Sequence, residues 1–392
     1  MKLLFVAGQL ECGGAERHLV ALAGGMARRG HLVALASLKT GDALGPALDA
    51  AGVGPRLCCM SRGALDLQAL ARLRAFIDTQ APQVLVATSH YALMFAALAR
   101  SRRARRPALA FICHSMDVLT RGAAARLRFA LYRQFYRSAG AIVFVSAAQR
   151  RYFSGRGIAP PGAQVIHNGI DLAHFAPRPA GPDAALRARC GFGPDDLVFG
   201  LCAAFREEKR QGDLLAAVAR LRTQGVPARA LLVGDGALRT ELEACRDRLG
   251  LGASVVLAGL QADVRPFIAM CDAMVLTSHS ETFPIATLES MALAKSVVAS
   301  DVGGLREQIV DGHNGLLYQA GDIDALSAAL ARLADPALRR RLGRGALLTV
   351  HRRFGEQNML ERYEALFGQM AARSPVMAAQ AEAETQAEAR AP

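Results

Sequence analysis

Short, uninterrupted apolar runs alternate with longer segments of helical period along most of the chain. In the first half the runs fall at 3–7, 32–37, 84–87, 108–113, 141–145 and 164–166. Helix-period segments lie between them at 15–29, 65–79, 91–100, 123–138 and 147–153. Runs that are apolar throughout, rather than alternating, suit strands of a parallel sheet buried on both faces. Strand–helix alternation of this kind predicts a doubly wound α/β domain.

The pattern breaks at 175–182, where three prolines fall within six residues. Neither a helix nor a central strand continues through that density of Pro, so a linker is expected there. A polar, helix-like stretch follows. The alternation then restarts, with strands expected at 197–202, 230–233, 254–258, 273–276, 296–299 and 315–318. Helices are expected at 211–224, 238–249, 264–270, 285–294, 304–310 and 323–334, and two more at 336–352 and 356–372. The expected organisation is an N-terminal domain over 1–175, a second α/β domain over 176–350, a closing helix over 351–372 and a disordered tail over 373–392.

Composition narrows the class. The 392 residues are 52% hydrophobic and 6% aromatic, with no Trp, so core volume comes from Leu, Val, Ala, Ile and Phe. Disordered, collagen-like and disulfide-miniprotein chains are excluded. No apolar run approaches the roughly 18 residues needed to span a bilayer. The apolar start at 2–7 is too short for a signal-peptide core and reads as a first buried strand, which points to the cytoplasm. None of the eight Cys forms a CxxC pair and no His stands at metal-ligand spacing near them, so free thiols in a reducing compartment are expected.

Charge is uneven. Residues 1–175 hold 22 Lys and Arg against 8 Asp and Glu, a net of +14, while the whole chain carries +13. The excess clusters at 100–106 and recurs at Arg121, Arg126, Arg128, Arg133, Arg137, Arg150, Arg151 and Arg156. No aromatic interleaving or DNA- or RNA-binding motif accompanies it, which argues against nucleic acid. An anionic membrane surface and a plain solvated basic face both remain open.

Three segments carry chemistry. Gly13-Gly14-Ala15-Glu16 follows the first strand at a helix start, where glycines let the backbone approach an anion and helix amides point at it. It is neither GxGxxG nor a P-loop. Arg206-Glu-Glu-Lys209-Arg210 follows the first strand of the second domain, where cations could neutralise a diphosphate; a solvated charged loop is the plain alternative. The strongest signal is Glu281-Thr-Phe-Pro-Ile-Ala-Thr-Leu-Glu289. Pro284 suits the first turn of a helix, with Glu281 in the preceding loop and Glu289 on the second turn. Two carboxylates and several amides at one strand–helix junction suit a polyol phosphate. The plain alternative is a helix-dipole partner plus a solvated Glu. His114 ends a strand, Gly234-Asp-Gly236 reads as a tight βα turn and Asn168-Gly169 as a turn. Asp322-Ile-Asp324 matches DxD, but Asp322 reads better as a helix cap, and no other cluster asks for a metal.

Taken in order, these segments resemble the retaining glycosyltransferases of family 4, which have the GT-B fold. The resemblance covers about residues 1–370. It rests on Gly13-Gly-Ala-Glu16, Val165-Ile-His-Asn-Gly-Ile-Asp171 with Phe175, Val233-Gly-Asp-Gly236, the EX7E pattern of Glu281–Glu289, and Asp301-Val-Gly-Gly304. It implies two Rossmann-like domains facing a cleft, with the final helix returning to the first domain. It also implies that Glu289 holds the ribose hydroxyls of a nucleotide-sugar donor and that Glu281 contacts the donor sugar near its reacting carbon. The backbone around Phe283, Pro284, Ile285 and Thr287 would meet sugar hydroxyls and phosphate, together with Gly13, Gly14 and Gly234. Lys209 matches the phosphate-binding Lys and His114 a His that touches the donor sugar.

Many members carry Gly-Arg-Leu five residues before that Lys; here the Arg position is Ala204, and Arg206 stands two residues later. The implied reaction moves a sugar from a nucleoside-diphosphate sugar to a glycan or lipid-linked acceptor, with retention and without metal or cofactor. Lys209, Arg206 and helix amides would stabilise the leaving diphosphate. The acceptor is expected on the basic first domain, with peripheral attachment to the inner face of the plasma membrane and a role in surface polysaccharide, lipopolysaccharide or lipid-glycan synthesis. The alternatives are a catalytically silent GT-B partner subunit, since Ala204 removes one cation, and another GT-B enzyme such as a nucleotide-sugar epimerase. A dinucleotide-dependent oxidoreductase lacks its fingerprint here.

Overall fold

A computed structural model describes residues 1–11, 13–62, 66–100, 106–115, 132–158, 160, 162–177 and 183–373. The chain forms two compact units, one of Met1–His167 with the segment from Asn358 onward, the other of Asn168–Gln357.

The first unit is built on a seven-stranded sheet of order β3-β2-β1-β4-β5-β6-β7. Its strands are β1 (Lys2–Ala7), β2 (Leu32–Ser37), β3 (Arg56–Cys58), β4 (Val84–Ala87), β5 (Ala108–Cys113), β6 (Ala141–Phe144) and β7 (Gln164–Val165). Every pairing is parallel, with Leu3 opposite Val33 on one side and Val84 on the other. All four residues of β4 are buried, which is why its sequence is apolar without alternation. Two of the helices start where side chains satisfy free amides. Asp66 accepts from the amides of Gln68 and Ala69 to open Leu67–Gln80, and Ser146 accepts from Gln149 to open Ala147–Ser154.

Helix Glu356–Ala372 begins at the unit boundary, and from Asn358 on it belongs to the first unit. Phe367 packs edge-on to Phe5, Glu364 accepts from Arg29 at 2.6 Å and sits 2.7 Å from His31, and Arg362 donates to the Val165 carbonyl. The second unit has a six-stranded sheet of order β10-β9-β8-β11-β12-β13. Its strands are β8 (Leu197–Cys202), β9 (Ala228–Val233), β10 (Val255–Gly259), β11 (Ala273–Leu276), β12 (Ser296–Ser300) and β13 (Leu316–Tyr318), all parallel. Each sheet reverses its direction of growth once, at β1/β4 and at β8/β11. Such switch points open a crevice at the carboxyl ends of the strands.

The differences from expectation have local causes. Strand β3 and helix Gly45–Ala50 were not anticipated, because a three-residue edge strand reading Arg-Leu-Cys gives no apolar run. The segment expected as helix at 304–310 closes to Leu305–Gln308, since Ile309 already has extended backbone. The units divide at His167/Asn168 rather than at 175/176. Ile170 pairs with Gly355, and its amide donates to the Phe354 carbonyl, which holds 168–175 in the second unit. The Pro-rich stretch 178–182, the tail from 374, the basic residues 101–105 and much of the helix expected at 123–138 lie outside the described residues. Among the described residues no helix is long and apolar enough to cross a membrane.

Candidate active site

The second unit gathers most of the singled-out residues at its β8/β11 switch point. After β8 the chain makes a tight turn over Glu207–Lys209 and enters helix Gln211–Thr223. After β11 comes the loop Thr277–Pro284, and then helix Ile285–Ala292. Two hydrogen bonds tie the segments: Thr277 Oγ1 donates to the Lys209 carbonyl at 2.7 Å, and the His279 amide donates to the Glu208 carbonyl at 3.0 Å. Lys209 Nζ thereby reaches Glu281 Oε1 at 2.7 Å, and that oxygen also accepts from Ser278 Oγ at 2.6 Å. The Glu281 side chain is 7% exposed and that of Lys209 22%. The Arg206–Arg210 segment is therefore more than a solvated charged loop, because its Lys neutralises a buried carboxylate. Arg206 itself is exposed, on extended backbone at the head of the same turn.

Pro284 stands one position earlier than expected. It is the N-cap of helix Ile285–Ala292, on extended backbone, and no side chain caps the helix. Pro284 itself offers the first-turn amides no side-chain acceptor. Glu289 lies on the second turn and is 4% exposed, so it is not a solvated surface Glu. Thr287 Oγ1 is buried without a hydrogen-bond partner among the described residues. The loop ahead of the helix is clamped from behind: Asn168 Nδ2 donates to the Phe283 carbonyl at 2.8 Å, Gln308 Nε2 donates to the Pro284 carbonyl at 3.0 Å, and Phe283 packs edge-on to Phe354.

Two glycines allow close backbone approach. Gly303 has φ +53°, and a Cβ there would lie 1.8 Å from the Glu281 carbonyl oxygen. Gly234 has φ +141°, and a Cβ there would lie 2.0 Å from the Ala203 carbonyl oxygen. The Gly234-Asp-Gly236 turn is pinned beside the end of β8 by the Phe205 amide donating to the Asp235 carbonyl. Only glycine fits both constraints at these positions.

His114, Gly13 and Gly14 belong to the first unit. Gly13 is the N-cap of helix Gly14–Arg28, again with no side-chain cap. His114 directly follows β5, and its ring lies 4.6 Å from that of His18. Burial pushes the His114 imidazole down to about 4 and the His90 imidazole to about 4; His18 is lowered by burial and then by His114. All three are therefore neutral at pH 7. A cavity of about 430 Å³ opens at the β1/β4 switch point, lined by Ala15, Lys39, Arg62, His90, Phe111 and His114 among others.

Sequence reasoning missed Ser278 and Thr277, and it read Asn168 only as a turn residue within a family segment. Polar residues directly after an apolar strand were the one available signal for the first two. Asp322 caps helix Ile323–Arg332 by accepting from the Ala325 amide, as its sequence context suggested. Among the described residues no group of three or more His, Cys, Asp or Glu is arranged to hold a metal.

This architecture, two parallel sheets each with a switch-point site, is that of the GT-B proteins. The crystal structure of Anabaena HepE in complex with UDP-glucose superposes with a TM-score of 0.82 at 24% identity, covering 94% of this chain and 100% of that one. Residues 12–174 match the family model for Glycosyltransferase Family 4, and residues 184–348 match that for Glycosyl transferases group 1. Together these two glycosyltransferase models span most of the chain, the family 4 model its first half and the group 1 model its second. EpsD of Bacillus subtilis is 30% identical over 227 residues, 57% of this chain and 59% of its own length. The N-acetyl-alpha-D-glucosaminyl L-malate synthase of Bacillus anthracis is 30% identical over 205 residues, 52% and 53% respectively. The chain thus spans little more than half the length of either curated relative.

Proposed function

We propose that the protein transfers a sugar, with retention of anomeric configuration, from a nucleoside-diphosphate sugar to a hydroxyl of a glycan or lipid-linked acceptor. The observation that carries this reading is the Lys209–Glu281 pair, set beside the uncapped start of the helix that bears buried Glu289. In this reading Glu289 accepts hydrogen bonds from the ribose hydroxyls and Glu281 from the donor sugar. Lys209, Arg206 and the amides of Ile285–Thr287 face the diphosphate, where negative charge grows as it leaves. The bond from the anomeric carbon to the phosphate oxygen breaks, and the bond to the acceptor oxygen forms on the same face. The acceptor proton passes to the departing phosphate oxygen. Neutral His114 serves as a hydrogen-bonding group for the donor sugar rather than as a cation.

UDP-glucose is the first donor to try, since HepE is seen with it. We also propose that the acceptor side is the first unit, whose excess of Lys and Arg in sequence suits attachment to the inner face of an anionic membrane and a role in surface-glycan synthesis. The test is incubation with UDP-glucose and a panel of lipid-linked and soluble glycans, read by mass spectrometry and by the anomeric coupling constant of the product. An α-linked glucoside is expected. A β-linked product rejects retention, and conversion of the sugar nucleotide without any glycoside favours an epimerase.

A further inference from the structure

Helix Pro336–Arg353 of the second unit has 18 residues, among them six Arg and no Asp or Glu. It is about 27 Å long at 1.5 Å per residue. Leu342, Gly343, Ala346 and Val350 fall on one side of it and are buried. At 100° per residue, Arg340, Arg341, Arg344, Leu348, His351 and Arg352 fall within an arc of about 120° on the other side, and all six are exposed. Neighbouring acids are engaged elsewhere. Asp335 caps the helix by accepting from the Ala337 amide, Asp272 pairs with Arg339 outside this arc, and Asp311 accepts from the Leu317 amide. The guanidinium groups of Arg340, Arg344 and Arg352 meet no carboxylate among the described residues.

The face is not purely charged. Leu348, 56% exposed, stands between Arg344 and Arg352 at one helical turn from each. The loop 310–314 runs along the same helix: Arg341 donates to the Gly312 carbonyl at 2.9 Å, and Asn314 Nδ2 donates to Thr349 Oγ1 at 3.1 Å. A Cβ at Gly345 would lie 2.4 Å from the His313 carbonyl oxygen, so the loop approaches as closely as glycine allows. That loop begins with Val310, which is 54% exposed.

We propose that this face docks on an anionic lipid surface, with its Arg side chains at the headgroups and Leu348 and Val310 turned toward the acyl boundary. Coulomb attraction brings such a face to the surface, and apolar burial holds it there. The long Arg stems let the charges stay at the headgroups while the apolar residues sink. The arc bears no aromatic ring to stack on a base, which disfavours single-stranded nucleic acid. The face belongs to the second unit, so it is separate from the excess of cations in the first half of the sequence, and it does not depend on the donor chemistry.

Vesicle co-sedimentation of the full chain at low ionic strength tests this. The vesicles are phosphatidylcholine alone and phosphatidylcholine mixed with phosphatidylglycerol. The variants are Arg340→Gln/Arg344→Gln/Arg352→Gln and Leu348→Gln; Arg341 is spared because it holds the 310–314 loop. Wild type should bind the mixed vesicles, bind the neutral ones far more weakly, and be released by salt. Affinity should fall about fivefold for each Arg removed, or about a hundredfold in the triple variant. Leu348→Gln should lose about fivefold, a loss that a purely electrostatic contact would not show. Melting temperatures should be unchanged, because all four side chains are exposed. Undiminished binding of mixed vesicles by either variant overturns the proposal. Wild type that fails to bind mixed vesicles also overturns it, and binding of polyuridylate or polyglutamate in that case assigns the face to a macromolecular polyanion instead.

Discussion

Replacing Gly303 by Ala tests how the Glu281 loop is held. The added Cβ would lie 1.8 Å from the Glu281 carbonyl oxygen, against the 3.0 Å that real Cβ contacts essentially never undercut. The Glu281 backbone must therefore retreat by about 1.2 Å, the difference of those two values. Its carboxylate is fixed to Lys209 and Ser278, so the shift strains two further hydrogen bonds. The left-handed backbone adds about 1–2 kcal/mol for any residue with a Cβ.

Gly312→Ala supplies the control. Gly312 has φ +71° with nothing within 4 Å of the added carbon, so only the conformational cost applies. Crowding at Gly303 raises the total there to about 3–5 kcal/mol. For a unit of this size each kcal/mol moves Tm by about 2–4 °C, giving losses of about 10 °C for Gly303→Ala and about 3 °C for Gly312→Ala. Differential scanning calorimetry measures both, and UDP titration should show weakened binding in the first variant alone. Equal melting temperatures for the two variants, or undiminished UDP affinity in Gly303→Ala, would refute the argument that Gly303 shapes the site.

Other expectations follow from the same contacts. Lys209→Met leaves the Glu281 carboxylate with Ser278 but no cation, and should cost about 1–3 kcal/mol of stability and about tenfold in UDP affinity; an unchanged variant in both assays contradicts the pairing. Asn168→Ala strips the Phe283 carbonyl of its donor and should lower stability by about 1–3 kcal/mol in urea titrations. Stability should also depend on pH. The folded-state pKa of His90 and of His114 lies near 4, below the unfolded value of 6.5. The unfolded chain therefore takes up protons first. The stability held above pH 6.5 is lost as pH falls toward 4, by about 2 kcal/mol per histidine at pH 5. Urea midpoints that stay level from pH 7 to 5 would contradict the neutral burial of both rings.

The strands were legible because burial on both sheet faces demands apolar runs; 32–37, 84–87, 108–113, 197–202 and 273–276 coincide with β2, β4, β5, β8 and β11. Edge elements such as β3 carried no such demand and left no pattern. The burial of Glu281 and Glu289 at one strand–helix junction could be anticipated because the two are close in sequence. The Lys209–Glu281 bond was not, since its partners are 72 positions apart and meet only once β8 and β11 lie side by side. The Asn168 bond to Phe283 spans 115 positions and was hidden for the same reason. The cavity of the first unit was equally invisible, because it is assembled from the ends of several elements and no single segment records it.

The most direct test of a nucleotide-sugar site is a thermal-shift panel of UDP, GDP, ADP and NAD on wild type and on Glu289→Ala. A ligand at 100 times its Kd adds about 2.7 kcal/mol, enough to raise Tm by several degrees. One nucleoside diphosphate should stabilise the wild type and have no effect on Glu289→Ala. Stabilisation by NAD alone, or a nucleotide shift that survives in Glu289→Ala, would contradict the account.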